Sequence, residues 1–163
     1  MNELFAPPGN AWQSVSPKLA TMRRVVLLSF VGVAMVAVVV VVLLLSWPLW
    51  LLAVALPCLV VLACLGTVMI GRNAKAWGYA ERDEDLYVTH GATFKELIVV
   101  PYGRMQFVDV TSGPVERYFG LSKVHLHTAS PKTNAQIPGL PPEEAARLRD
   151  RLTGLGESQA AGL

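Results

Sequence analysis

Three features of the 163-residue sequence predict a membrane α-helical hairpin plus a small polar α+β domain of about seven strands, a sandwich or partly open barrel capped by a C-terminal helix. None of the 14 Lys and Arg or 12 Asp and Glu residues lies between Val25 and Gly71, so 47 consecutive residues carry no formal charge. Beyond Trp77 short β-type runs alternate with turn residues. Beyond Pro141 the apolar period becomes that of a helix.

The uncharged run is about twice the ~20 residues needed to cross a hydrocarbon core, so it is expected to fold as two helices over 25–71. Ser46-Trp47-Pro48-Leu49-Trp50 supplies the turn: Pro48 breaks the helix, and Trp47 and Trp50 are the aromatic type that settles at the headgroup level. The helices then cover about 25–45 and 50–70, with Pro57 a candidate kink. Lys18, Arg23 and Arg24 precede the first helix, Arg72 and Lys75 follow the second, and the loop has no charge. The positive-inside rule therefore predicts a multi-pass cell-membrane protein with both termini cytoplasmic. Met22-Arg23-Arg24 before an apolar stretch resembles a signal peptide, but such apolar regions run about 7–15 residues and this one continues into a second span. Cys58 and Cys64 fall on different sides of the second helix at membrane depth, neither CxxC nor a metal pair.

Residues 1–24 read as a cytosolic tail and lead-in. Ser16-Pro17 is an N-cap followed by proline at the first helical position, and Val15, Leu19 and Met22 recur at helical spacing. The polar domain is expected over 76–153. Its strands are placed at 77–82, 86–90, 94–100, 104–111, 115–119, 122–128 and 135–137, and turns at Gly103, Ser112-Gly113-Pro114 and Gly120. Val124 and Leu126 point inward. Pro142 opens the closing helix, Glu143 and Glu144 fill its first turn, Ala145, Leu148 and Leu152 make its apolar stripe, and Gly154 stops it, leaving 154–163 as a tail. Seven strands closed by one helix is the architecture of a pleckstrin-homology (PH) fold.

Three stretches carry a family resemblance: residues 100–110 (Val-Pro-Tyr-Gly-Arg-Met-Gln-Phe-Val-Asp-Val), 113–121 (Gly-Pro-Val-Glu-Arg-Tyr-Phe-Gly-Leu) and 124–129 (Val-His-Leu-His-Thr-Ala). Together with Ile137-Pro138-Gly139-Leu140, the Val15-Ser16-Pro17-Lys18-Leu19 lead-in and the hairpin, they closely resemble the bacterial PH-like domains of YdbS-like membrane proteins, over about residues 15–153. The resemblance implies a membrane-anchored, cytosol-facing PH-like module, often encoded beside a larger relative with repeated copies of the domain, and it brings no catalytic residue. Within the motif, Pro101 fits a strand end because it cannot donate to a ladder, and Gly113-Pro114 fits a tight reversal. Gly120 fits a bend at positive φ. Arg104, Glu116 and Arg117 suit an ion-pair network between strands and, less readily, a ligand contact. Gln106 completes the candidate motif.

Charge and motif content narrow the function. Residues 72–163 hold 11 basic and 11 acidic side chains, a balance that gives no electrostatic hold on nucleic acid. No nucleophile motif or phosphate loop is present, so no enzyme is expected and no cofactor. His125 and His127 share a strand face as a zinc pair would, but with only His90 left and no cysteine in the domain, exposed strand histidines are the better reading. The loop where a phosphoinositide would sit, Glu81-Arg82-Asp83-Glu84-Asp85, carries net −3 and repels phosphate. The expected function is a membrane-anchored protein interaction or assembly module in the lipid bilayer, partnered by a membrane protein such as a larger PH-like relative or by a second copy. The alternative is a sensor of anionic membrane lipid through Lys18, Arg23, Arg24, Arg72 and Lys75.

Overall fold

The structure is a computed structural model that describes residues 11–130 and 133–161. The chain forms two compact units, one of the residues up to Leu19 with those from Asn73 onward, the other Ala20–Arg72.

The second unit is the hairpin. Helix α1 spans Lys18–Leu44 and α2 Trp50–Lys75, so α1 begins before the uncharged run and α2 ends after it, and α2 continues through Pro57. Both are long and apolar enough to cross a membrane, and only 6% of the most apolar window of each is buried. A core helix of a soluble protein would hide that surface; here it faces outward, as suits lipid. Ser46 makes the turn with φ 50°. Small residues let the helices approach: a Cβ on Gly66 would stand 2.7 Å from Leu27 Cδ2. Arg24 lies along α2, its Nε donating to the Thr67 carbonyl at 3.3 Å.

The first unit holds strands β1 (Gln13–Ser14), β2 (Gly78–Glu81), β3 (Asp85–His90), β4 (Glu96–Pro101), β5 (Met105–Thr111), β6 (Ser122–Thr128) and β7 (Ala135–Leu140), with helices α3 (Pro114–Tyr118) and α4 (Pro142–Ala161). They form two antiparallel sheets, β1-β2-β3-β4 and β5-β6-β7, the PH-like arrangement. Alternation decides the faces. In β6 every second residue from Ser122 to Thr128 is buried while Lys123, His125 and His127 stay partly exposed. Leu86, Val88, Val100, Val124, Leu126 and Ile137 make the core, and α4 adds Ala145, Leu148 and Leu152, each fully buried. Each such leucine contributes about 1.5–3 kcal/mol by leaving water.

Three expectations change. Residues 115–119, read as a strand from their β-branched and aromatic content, form helix α3 instead. Gly113 starts it, Pro114 takes the first position where no N–H is needed, and the Glu116 carboxylate accepts from the Gly113 amide at 2.8 Å. Helix α4 does not stop at Gly154 but runs to Ala161. A glycine inside a helix costs about 1 kcal/mol, and here the extension gains a packing surface: Gly156 lets the helix approach the Tyr102 carbonyl, 3.6 Å from where its Cβ would be. The lead-in, expected as a surface helix after a tail, instead joins the domain. Gln13 and Ser14 pair with Tyr79 and Gly78, the Ser16 amide donates to the Gly139 carbonyl at 3.0 Å, and Leu19 is 1% exposed. The part of the expected tail before residue 11 lies outside the described residues.

Gly120 has φ 64°, as its place at the bend predicts, and a Cβ there would meet nothing within 4 Å. Gly120→Val therefore carries backbone strain alone, and it is expected to cost about 1–3 kcal/mol in a denaturation curve. A wild-type midpoint would show that the left-handed conformation is not needed.

Candidate functional site

The motif residues do not converge on one site. Pro101 ends β4, Arg104 closes the 3-10 turn Tyr102–Arg104, and Gln106 lies exposed on β5. Gly113, Pro114, Glu116, Arg117 and Gly120 belong to the β5–β6 connection around α3, which buries none of its residues. The expected Arg104–Glu116–Arg117 network is not what forms: Glu116 pairs with Lys123 at 3.5 Å and with the Gly113 amide. The reason is the helix, which turns Glu116 back over its own N-terminus toward β6. Of the juxtamembrane cations, Lys18, Arg23 and Arg24 fall within α1, Arg72 and Lys75 within α2.

What the fold does offer is an open edge. Among the described residues strand β4 ends its sheet, hydrogen-bonded only to β3 in the register Asp85↔Pro101 to His90↔Glu96. Its run Leu97-Ile98-Val99-Val100 is wholly apolar, with Val99 37% exposed. Natural edges are usually guarded by charge, proline or a bulge. Here Pro101 and Glu96 stand only at the two ends. Strand β5 ends the other sheet, but a register shift between Met105 and Phe107 bends it, and α4 packs beside it, lining with Met105–Val108 and residues Leu152, Thr153, Gly156 and Glu157 a small groove. Strand β6 is central and cannot accept a partner.

The opposite edge of the first sheet is closed by the chain itself, through a polar clamp that the sequence did not disclose. The Tyr79 hydroxyl lies 2.6 Å from Gln13 Oε1 and 2.9 Å from Glu144 Oε1. Arg147 Nη2 donates to Glu81 Oε1 and Glu144 Oε1, both at 2.6 Å, and its Nε to Glu144 Oε2 at 3.0 Å. Arg151 Nε stands 3.1 Å from Glu81 Oε2, an oxygen that makes no hydrogen bond of good geometry, so this ion pair is what answers its charge. The Glu81 side chain is 7% exposed, whereas those of Arg147 and Arg151 are 41% and 52% exposed. Burial, then the Glu144 hydrogen bond, pushes the Tyr79 hydroxyl far above its ordinary value. The Arg147 hydrogen bonds hold Glu144 below the usual carboxylate range against the effect of burial. A Glu on β2 and Arg residues four apart on a helix, 147 and 151, are the only signal, visible once the strand and helix are assumed to touch.

The loop between β2 and β3 keeps its acidic character. Arg82 stays exposed but is paired within the loop, 3.7 Å from Asp85 with Nη1 2.6 Å from the Tyr87 hydroxyl, and Tyr102 donates its hydroxyl to the Arg82 carbonyl at 2.9 Å. Its one cation is thus spoken for.

Two apolar helices exposed along their length and a PH-like domain of two antiparallel sheets and a closing helix define the class: a membrane protein built on a bacterial PH-like module. Residues 24–155 match the family model described as Bacterial PH domain, and the chain belongs to that family. It is similar to the UPF0699 transmembrane protein YdbS of Bacillus subtilis (strain 168), 33% identical over 111 residues that cover 67% of this chain and 68% of that one. No solved structure matches it.

Proposed function

We propose that the protein is a two-span membrane anchor presenting a cytosolic PH-like module that binds another protein, or a second copy of itself, through the β4 edge. The observation that carries this is the apolar run Leu97–Val100 on a strand that, among the described residues, has one side unpaired. An extended segment laid beside β4 gains main-chain hydrogen bonds at little cost in ordering. Tethering supports the reading, because a domain fixed to a membrane gains effective concentration toward partners in the same membrane. Lipid recognition has less support: the β2–β3 loop is acidic, and Arg24, one of the five juxtamembrane cations, is already committed to Thr67 within the hairpin.

The test uses the full chain in its native membrane. Chemical crosslinking should yield a discrete protein adduct that Val99→Lys, a charge placed on the open edge, abolishes without lowering the melting temperature. The same adduct in wild type and variant would overturn the edge as the docking site. The topology is tested separately. A reporter active only outside the membrane should be silent after residue 163 and active in the loop at residues 46–50; activity at the C-terminus would reverse the orientation.

A further inference from the structure

The three histidines of the chain, far apart in sequence, line one cleft of about 290 Å³ between the β3–β4 end of one sheet and the β6–β7 pair of the other. His90 ends β3, and His125 and His127 stand on the partly exposed face of β6. Asn134 and Gln136 add two amides and Ile98 an apolar wall, and among the described residues no Lys, Arg, Asp or Glu lines the cleft.

The three are not equivalent. His90 Nε2 is 3.6 Å from Glu96 Oε2, and its ring stacks on Trp77 at 4.8 Å. His127 Nε2 is 3.7 Å from Asp109 Oδ2, and its ring stacks on Phe107 at 4.2 Å. Each of these has a carboxylate ready for its charged form. His125 has none. Its Nε2 meets the Thr111 hydroxyl at 3.2 Å, and the His127 ring lies 6.4 Å away. Around it, β6 supplies Lys123 and His127, β5 supplies Asp109, which opposes it in register but reaches His127, α3 supplies Glu116, which pairs with Lys123, and β7 supplies only the Gln136 amide. Burial first, then Lys123 and His127, holds His125 below the ordinary histidine value, against the weaker opposite pull of Asp109 and Glu116.

From this arrangement we propose that the cleft binds a tetrahedral oxyanion of the phosphate type, and that the anion and a proton on His125 enter together. A charged His125 is a half-buried cation without a counter-ion, the state an oxyanion stabilises. Both ring nitrogens of the imidazolium donate, and the Asn134 and Gln136 amides add neutral donors. Linkage makes the effect mutual: the anion favours the proton by the same factor by which the proton favours the anion. The inference is independent of the β4 edge. It also separates this cleft from the acidic β2–β3 loop, so the repulsion of phosphate there does not bear on it.

Sulfate is the probe, because its charge is constant across the range studied and any pH dependence belongs to the protein. With the full chain in nanodiscs of phosphatidylcholine, sulfate should bind up to about tenfold more tightly for each pH unit lowered between 7.5 and 5.5, the limit for one coupled proton. The His125 ring resonances should titrate at higher pH with sulfate than without. His125→Gln should remove the pH dependence at an unchanged melting temperature; should that variant unfold, the wild-type ring titration decides alone. A second arm replaces part of the lipid by phosphatidylglycerol: a His125 shift there without sulfate assigns the oxyanion to a lipid headgroup, and a shift with sulfate only assigns it to a free anion. A His125 titration unmoved in both arms, or sulfate affinity equal at both pH extremes, would overturn the proposal.

Discussion

Gly139→Val is expected to unfold the domain or cost it roughly 3–5 kcal/mol, against a total stability of about 5–15 kcal/mol for a domain of ordinary size. Two effects add at this position. Gly139 has φ 74°, a conformation that a β-branched residue resists. A Cβ there would also stand 2.8 Å from Leu19 Cβ and 3.0 Å from its Cδ2, and Leu19 is fully buried. The Gly139 carbonyl meanwhile receives the Ser16 amide. The substitution thus strains β7 and expels the segment that leads into α1. Gly120→Val, which has the strain without the clash, should cost clearly less. Equal melting temperatures for the two variants would show that the lead-in is not packed against β7, and chemical denaturation of the full chain in nanodiscs measures the difference.

Removing both arginines of the clamp should have the second largest effect. In Arg147→Ala/Arg151→Ala the Glu81 carboxylate, 7% exposed, loses both countercharges, and a buried charge stripped of its partners costs about 3–5 kcal/mol. The converse, Glu81→Ala, should cost less, because the arginines are about half exposed and can turn to water. Equal losses would mean that packing of the arginine stems, and not charge, holds α4 to β2. The clamp also fixes a pH dependence. Glu144 titrates below its ordinary value of 4.5, so the native state favours its charged form more than the unfolded chain does. That share of stability is present at neutral pH and is lost as pH falls below about 4.5 toward the native value. Glu144→Gln should flatten the acid limb of a stability curve measured from pH 7 to 3, and an unchanged slope would contradict the assignment.

The parts of this fold that were legible in the sequence are those where one periodic pattern decides the outcome. The absence of charge from Val25 to Gly71 marked the hairpin, and the alternation Val124, Leu126 against His125, His127 marked β6 to the residue. The stripe Ala145, Leu148, Leu152 marked the face of α4 that is buried. What escaped was decided by partners remote in sequence or by capping. Val115 to Phe119 has the composition of a strand, yet Gly113, Pro114 and Glu116 cap a helix there. Gln13 and Ser14 have no strand pattern of their own and are a strand only through their pairing with Tyr79 and Gly78 of β2, remote in sequence. The clamp and the three-histidine cleft each gather residues more than 30 positions apart, and no local period announces such a meeting. Family resemblance named the fold correctly, but its motif residues turn out to shape the β4–β5 corner and the α3 connection and do not form one pocket.

The first sheet carries the lead-in strand β1 at one edge and β4 at the other. Amide hydrogen exchange on the full chain, compared between purified protein in nanodiscs and native membranes, tests both edges at once. In both preparations Gln13, Ser14 and the amides of β2 should be protected alike, while those of Glu96–Val100 not paired with β3 should exchange quickly in nanodiscs and become protected in native membranes. Equal, fast exchange of β4 in both settings would contradict the docking role, and free exchange at Gln13 and Ser14 would contradict the closed edge.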